Sequence, residues 1–251
     1  MLRVNLGDTV KIHFRNNVGR RLSIHVQGMR YDVDTSDGAG VGFNQDSTTD
    51  HKMTYTWYAD TEGVFLFHDM ADARSSEAAT NIHGLFGAVI VEPPEAVWLD
   101  PETGKELKSG LMADIYQPGK PAFREYTVFF HDELEILDKD GKPPMDHRTG
   151  LPSSTTAISY RSEPMRNRMP LMHDPADSGE DISMSSWVYG DPASPILRAY
   201  VGDPAKIRLV HGGIKETHVF LLIQTAAAGE AGTAEGCSVK GDSASGRHQY
   251  R

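Results

Sequence analysis

From Thr9 to Arg15 apolar and polar side chains alternate, with Val10, Ile12 and Phe14 on one face and Lys11, His13 and Arg15 on the other. Successive residues of a strand point to opposite faces, so this segment predicts a β-strand with one buried side. Leu22–Val26, Tyr55–Tyr58, Val64–Phe67 and Ala88–Val91 are rich in β-branched or aromatic residues and are bounded by Gly, Asp, Asn or Pro. They predict further short strands. No segment before Pro93-Pro94 holds a helical period of useful length. Short strands separated by turn residues point to a β-sandwich or barrel over residues 1–95. Residues 96–121 read as a linker with a turn at Asp100-Pro101-Glu102-Thr103-Gly104. Beyond residue 122 a second series is expected, with strands at Arg124–Phe130, Ile196–Val201 and Lys206–Val210. A turn at Asp138–Pro144 and a long loop from Pro143 to about Ser183 lie between them.

An internal repeat supports two units. Leu2-Arg3 followed by Gly7-Asp8-Thr9-Val10-Lys11-Ile12 recurs as Leu197-Arg198 followed by Gly202-Asp203-Pro204-Ala205-Lys206-Ile207, at one fixed offset. Each copy reads as a Gly-Asp turn feeding a strand, so residues 122–220 are expected to be a second domain of the same kind in tandem. After Phe220 large apolar residues nearly vanish, and Ala226-Ala227-Ala228-Gly229 opens a stretch rich in Gly and Ser. Residues 221–251 have too little to bury against the cost of ordering, so a disordered or atypical tail is expected.

Composition narrows the partners. A net charge of −10 argues against nucleic acid and anionic membrane surfaces. The longest apolar run, Gly84–Val91, is too short for a bilayer span. Met1–Asp8 shows no basic segment followed by an apolar core, so no secretory signal is expected there. A single cysteine, Cys237, excludes an internal disulfide framework, whereas 11 histidines leave metal chemistry open.

Several of those histidines fall in strand-like passages that belong together. These are Gly7-Asp8-Thr9-Val10 through Leu22-Ser23-Ile24-His25-Val26-Gln27-Gly28; Tyr55-Thr56-Trp57-Tyr58 with Gly63-Val64-Phe65-Leu66-Phe67-His68-Asp69; and His83-Gly84-Leu85-Phe86-Gly87-Ala88-Val89-Ile90-Val91-Glu92-Pro93. In order and spacing they resemble the first cupredoxin domain of multicopper oxidases, the group of laccases, ascorbate oxidase and ceruloplasmin. Pro195-Ile196-Leu197-Arg198 through His218-Val219-Phe220 is similar to the strand entering the family's later copper-binding domain. The resemblance covers most of residues 1–220. It implies an all-β, cupredoxin-like Greek-key β-sandwich, with a second, incomplete cupredoxin-like domain lacking its closing strands.

The same resemblance implies copper as cofactor and a copper-dependent oxidoreductase: single-electron oxidation of a small-molecule or metal-ion reductant coupled to dioxygen reduction. An extracellular or periplasmic location follows from it too. In the family, copper ligands come as His-x-His pairs, which a strand places side by side on one face. Here the first pair reads His25-Val26-Gln27 and the second His68-Asp69-Met70. His218 is followed by Leu221 and Ile223 where two further histidines belong, and no His-Cys-His strand occurs. The metal ligands implied are therefore His25, His68, His83 and His218, with Met70 as a soft donor for Cu(I), and Gln27 is expected to orient His25. The isolated chain is expected to be inactive as an oxidase, and partial or absent copper is the alternative occupancy. A non-enzymatic copper-binding or interaction module, and a truncated or frame-shifted gene product, are the alternative readings. Unpaired strand edges predict homo-oligomerisation or poor solubility.

Other candidates have plainer readings. His13 is expected in solvent, and His51, His147 and His248 in polar loops or the tail. In His131-Asp132-Glu133 neighbouring side chains face opposite ways, which speaks against a cluster. His211 beside Gly212-Gly213 reads as a turn residue. Met145, Met165, Met169, Met172 and Met184 read as gap-filling side chains. Asp34, Asp37 and Asp46 flank the Gly-rich run Gly38-Ala39-Gly40-Val41-Gly42, where no helix follows to cradle a phosphate and a loop calcium site is the alternative to a plain turn.

Overall fold

A computed structural model describes residues 1–39, 51–71, 80, 84–132, 140–143, 145, 157–159, 186–190, 194–213, 217–218 and 220. In chain order the elements are β1 (Leu2–Asn5), β2 (Thr9–Arg15), β3 (His25–Val26), β4 (Arg30–Tyr31), α1 (Val33–Ser36), β5 (Lys52–Tyr58) and β6 (Gly63–His68). They continue with β7 (Phe86–Glu92), β8 (Val97–Leu99), β9 (Met112–Gln117), β10 (Lys120–His131), β11 (Ala157–Ile158), α2 (Ser186–Tyr189) and β12 (Ala205–His211). The all-β expectation holds.

Three sheets carry these strands. The first runs β1-β7-β6-β3, the second β2-β5-β4, and the third β11-β10-β9-β8 with β12 paired to β10. The alternation of Thr9–Arg15 plays out as read: Val10, Ile12 and Phe14 turn inward while Lys11, His13 and Arg15 stay exposed. Opposite them on β5, Met53, Tyr55 and Trp57 are buried. These side chains meet Val26, Val89 and Val91 of the first sheet in one core, which makes the first two sheets the halves of a sandwich.

The strand β7 is buried along its whole length, which requires cover on both faces. Val89 and Val91 point into the sandwich core, while Phe86 and Ala88 point the other way and pack on Phe129 and Val210 of the third sheet. On that second face the alternation ends at Glu92, which meets Arg3 at 2.5 Å. Glu125 of β10 receives Arg3 and Arg208, each at 2.5 Å, and Arg208 also reaches Glu92 at 3.4 Å. All four groups are buried. Burial and the neighbouring Glu125 push the Glu92 carboxyl up to about 7, against the pull of Arg208 and Arg3. Burial pushes Glu125 up as well, but Arg208 and Arg3 outweigh it and leave that carboxyl below its ordinary range. The two differ because Glu125 has both guanidiniums at close range.

The repeated turn has one geometry in both places. Gly7 and Gly202 adopt φ of 96° and 92°. Asp8 accepts the Asn5 amide at 2.8 Å, and Asp203 accepts the Tyr200 amide at 3.0 Å.

Three readings of the chain need correction. Residues 96–121 are not a plain linker, because β8 and β9 pair there as strands of the third sheet. Ala96, Ala113 and Ile115 form a small core with Trp98, Leu107 and Phe123. The expected turn inside that stretch stands, with the Asp100 carboxylate accepting the amides of Glu102 and Thr103. Ile196–Val201 is no strand, and Tyr200 and Val201 are largely exposed. Side chains grip its backbone instead, since the Arg198 carbonyl accepts from Arg124 at 3.2 Å and from the Tyr126 hydroxyl. The expected strand at Leu22–Val26 contracts to His25–Val26 because Asp69 takes the Ser23 amide at 2.7 Å.

Candidate metal centre

The short strand β3 lies antiparallel to β6 with His25 directly opposite His68. Opposed residues of such a pair project from the same face. The two imidazoles stand edge to face with ring centroids 6.1 Å apart. His68 is buried at the end of β6, and His25 is half-buried. Burial lowers the His68 pKa; the hydrogen bond to Asp69 resists and the nearby His25 adds to the lowering. A neutral ring is the form that binds metal.

Backbone carbonyls set the tautomer of both rings. His25 Nδ1 lies 2.7 Å from the Asp37 carbonyl, and His68 Nδ1 lies 3.0 Å from the Asp69 carbonyl. A carbonyl only accepts, so each Nδ1 carries a proton, and in the neutral ring the lone pair falls on Nε2. This is how proteins orient imidazoles for metal. The Nε2 of His25 has no hydrogen bond among the described residues. At 2.8 Å the Gln27 amide nitrogen donates to His68 Nε2. Gln27 therefore serves His68, not His25 as expected, and sits on the lone pair a metal would use.

Each carbonyl belongs to a loop shaped by the same residue's own carboxylate. Asp37 accepts the Tyr31 hydroxyl at 2.9 Å and the Ala39 amide at 2.8 Å. Burial and this bond to Asp37 push the Tyr31 phenol up to about 12, so it stays a donor. Its ring meets His25 edge-on at 5.8 Å. Gly38 has φ of 68°, and a Cβ there would lie 2.2 Å from the Ile24 carbonyl oxygen, so only glycine lets the loop reach His25. Asp69 accepts Ser23 N at 2.7 Å, Ser23 Oγ at 3.2 Å, Ala71 N at 3.1 Å and the Thr80 hydroxyl. Neither aspartate was legible as an anchor for a histidine, because each acts through its main-chain carbonyl. The one signal was Asp37 beside the Gly-rich run.

The remaining predicted ligands scatter. Met70 lies two residues beyond the end of β6, exposed, with its amide held by Ser23 Oγ at 3.0 Å. His83 and Cys237 fall outside the described residues, as do Met165, Met169, Met172 and Met184. His218 is held elsewhere, stacked on Phe130 with centroids 5.6 Å apart. Its neighbours are His211, at 4.8 Å between centroids, and Asp132. His13 is a surface residue bonded to Thr54, and His131 stacks on Phe86 at 4.9 Å.

The pair of imidazoles with Nε2 as the donor atom fits copper by donor chemistry. Displacing the Gln27 amide is the cost of that fit. The family model described as Multicopper oxidase matches residues 1–96. The copper-containing nitrite reductase of Neisseria meningitidis serogroup A is 27% identical over 134 residues, which is 53% of this chain and 32% of that protein. That of Neisseria gonorrhoeae is 27% identical over 53% of this chain and 31% of its own length. The chain thus spans about a third of the curated relatives it matches. Similar solved structures include the copper nitrite reductase of Nitrosomonas europaea, at 19% identity and TM-score 0.46 over 86% of this chain and 57% of that one. Another is the multi-copper oxidase of Pseudomonas thermotolerans, at 19% identity and TM-score 0.38 over 62% and 32%. No helix among the described residues is long and apolar enough to cross a membrane. The sandwich that aligns His25 with His68 is, over residues 1–96, the part of the chain that the Multicopper oxidase family model matches.

Proposed function

We propose that this chain works in copper-dependent oxidoreductase chemistry of the multicopper oxidase type, with His25 and His68 as the ligands it supplies to copper. The observation that carries the reading is the matched tautomer of two facing imidazoles, each keyed at Nδ1 by a backbone carbonyl. Copper, when bound there, supplies one-electron redox chemistry between a reductant and dioxygen. The protein's part is positional. The loops of Asp37 and Asp69 hold the rings, Tyr31 flanks His25, and Gln27 covers His68 until it is displaced. Gln27 and Met70 stand where the family's second histidines would be, so the isolated chain binds copper without completing dioxygen reduction. A periplasmic or extracellular setting, and a small-molecule or metal-ion reductant, go with this reading.

The test is copper stoichiometry in the purified, metal-stripped and reloaded chain. His25→Ala and His68→Ala should each remove one copper per chain, and His13→Ala none. Unchanged copper in both ligand variants would sink the assignment. A blue thiolate absorption band with dioxygen uptake would instead overturn the claim that the isolated chain does not turn over. The Gln27 bond to His68 favours a second reading, a metal-free interaction module in which that histidine is simply satisfied; no copper bound at all is its signature.

A further inference from the structure

We propose that Asp132, His211 and His218 form a second metal site, for a divalent first-row transition ion, separate from the His25–His68 pair. It arises from the parallel pairing of β10 and β12, which sets Phe130 opposite His211. Parallel strands end at the same edge of a sheet, so the carboxyl ends of both deliver ligands to one place. His211 is the last residue of β12, and Asp132 follows the last residue of β10. One donor atom from each of the three side chains lies within 4.8 Å of the other two.

Two further observations point to an ion. His218 Nε2 is buried and has no hydrogen-bond partner among the described residues. It faces Asp132 Oδ2 at 3.9 Å, too far for a hydrogen bond. Donor atoms sharing an ion through bonds of about 2.1 Å stand roughly 3–4 Å apart, which is the spacing of this gap. The ligands are also held in place. Phe130 stacks on His218 with ring planes 16° apart, and the Asp132 side chain is buried against Gly213, where a Cβ would lie 1.7 Å from Oδ1. His211 is exposed, so the cluster opens to solvent and leaves room for water or another small ligand on the ion. Two imidazoles and a carboxylate, with no thiolate, favour Zn(II), Co(II) or Cu(II) over Ca(II), Mg(II) and Cu(I).

Calorimetric titration of the metal-free full chain with Zn(II) alone tests this. The expected result is one strong site per chain that His211→Ala and His218→Ala each weaken at least about tenfold, while His25→Ala leaves it within about twofold. Asp132→Asn should weaken it likewise. Circular dichroism shows which variants remain folded, and the exposed His211→Ala is the one that keeps the test decisive. Excess Zn(II) should raise the melting temperature of the parent and not of His211→Ala. Absence of strong zinc binding in the folded parent, or equal affinity in parent and His211→Ala, overturns the proposal.

Discussion

The two histidine clusters differ in what already satisfies their nitrogens. At His25 and His68 both Nδ1 protons go to carbonyls and Gln27 occupies one Nε2, so the pair is nearly complete without metal. At His218 a buried Nε2 has no hydrogen-bond partner among the described residues. A satisfied polar group gains little from a ligand, whereas an unsatisfied buried one gains the whole of its missing interaction. The pair the family resemblance singles out is thus the more self-sufficient, and the cluster in which it names only His218 has the stronger demand for an ion.

The largest test acts on the seam that joins the two regions. Arg3→Met should destabilise the protein by about 3–5 kcal/mol in urea denaturation, because it leaves Glu92 and Glu125 buried with a single guanidinium. Both clusters should then lose metal over the same range of urea; loss from one alone would show that the regions unfold independently. Gly213→Ala should cost about 1–3 kcal/mol, because the new Cβ collides with Asp132. It should abolish zinc binding while copper at His25 and His68 persists, and loss of both would erase the distinction between the sites.

The seam also carries a pH dependence. The folded-state pKa of Glu92 is raised to about 7 from 4.5, so the folded protein holds a proton that the unfolded chain has lost. Between those values stability falls as pH rises, by on the order of 2 kcal/mol from this group. Urea midpoints measured across pH 5–7 should decline in the parent and flatten in Glu92→Gln. The smallest effect belongs to the first cluster. Gln27→Ala frees His68 Nε2 and should raise copper affinity about tenfold, the worth of one hydrogen bond. Chelator competition measures it, and an unchanged affinity would mean that the Gln27 bond does not guard the pair.

Much of this architecture was readable in the chain. Period-two alternation located β2, β-branched or aromatic runs bounded by turn residues located β5, β6 and β7, the second series of strand signals located β10 and β12, and the Gly-Asp repeat located two turns that share φ and capping. Segments whose partners are remote were misread. Met112–Gln117 looks like linker until Phe123 and Trp98 cover Ile115, and Ile196–Val201 looks like strand although no strand among the described residues pairs with it. The alternation rule applied to His131-Asp132-Glu133 was sound for neighbours. It had no means of seeing that β12 brings His211 beside Asp132.

What the sequence determined by itself is the local physics: which residues alternate, which turns need glycine, and that His25 and His68 belong to strands of one sandwich domain. Only the tertiary structure decided what each histidine meets. It gave the His68 lone pair to Gln27, turned Asp37 and Asp69 into carbonyl anchors, and gathered Asp132, His211 and His218 at one sheet edge. The reason is that period and propensity act over a few residues, whereas register between distant strands is chosen by burial of their shared faces.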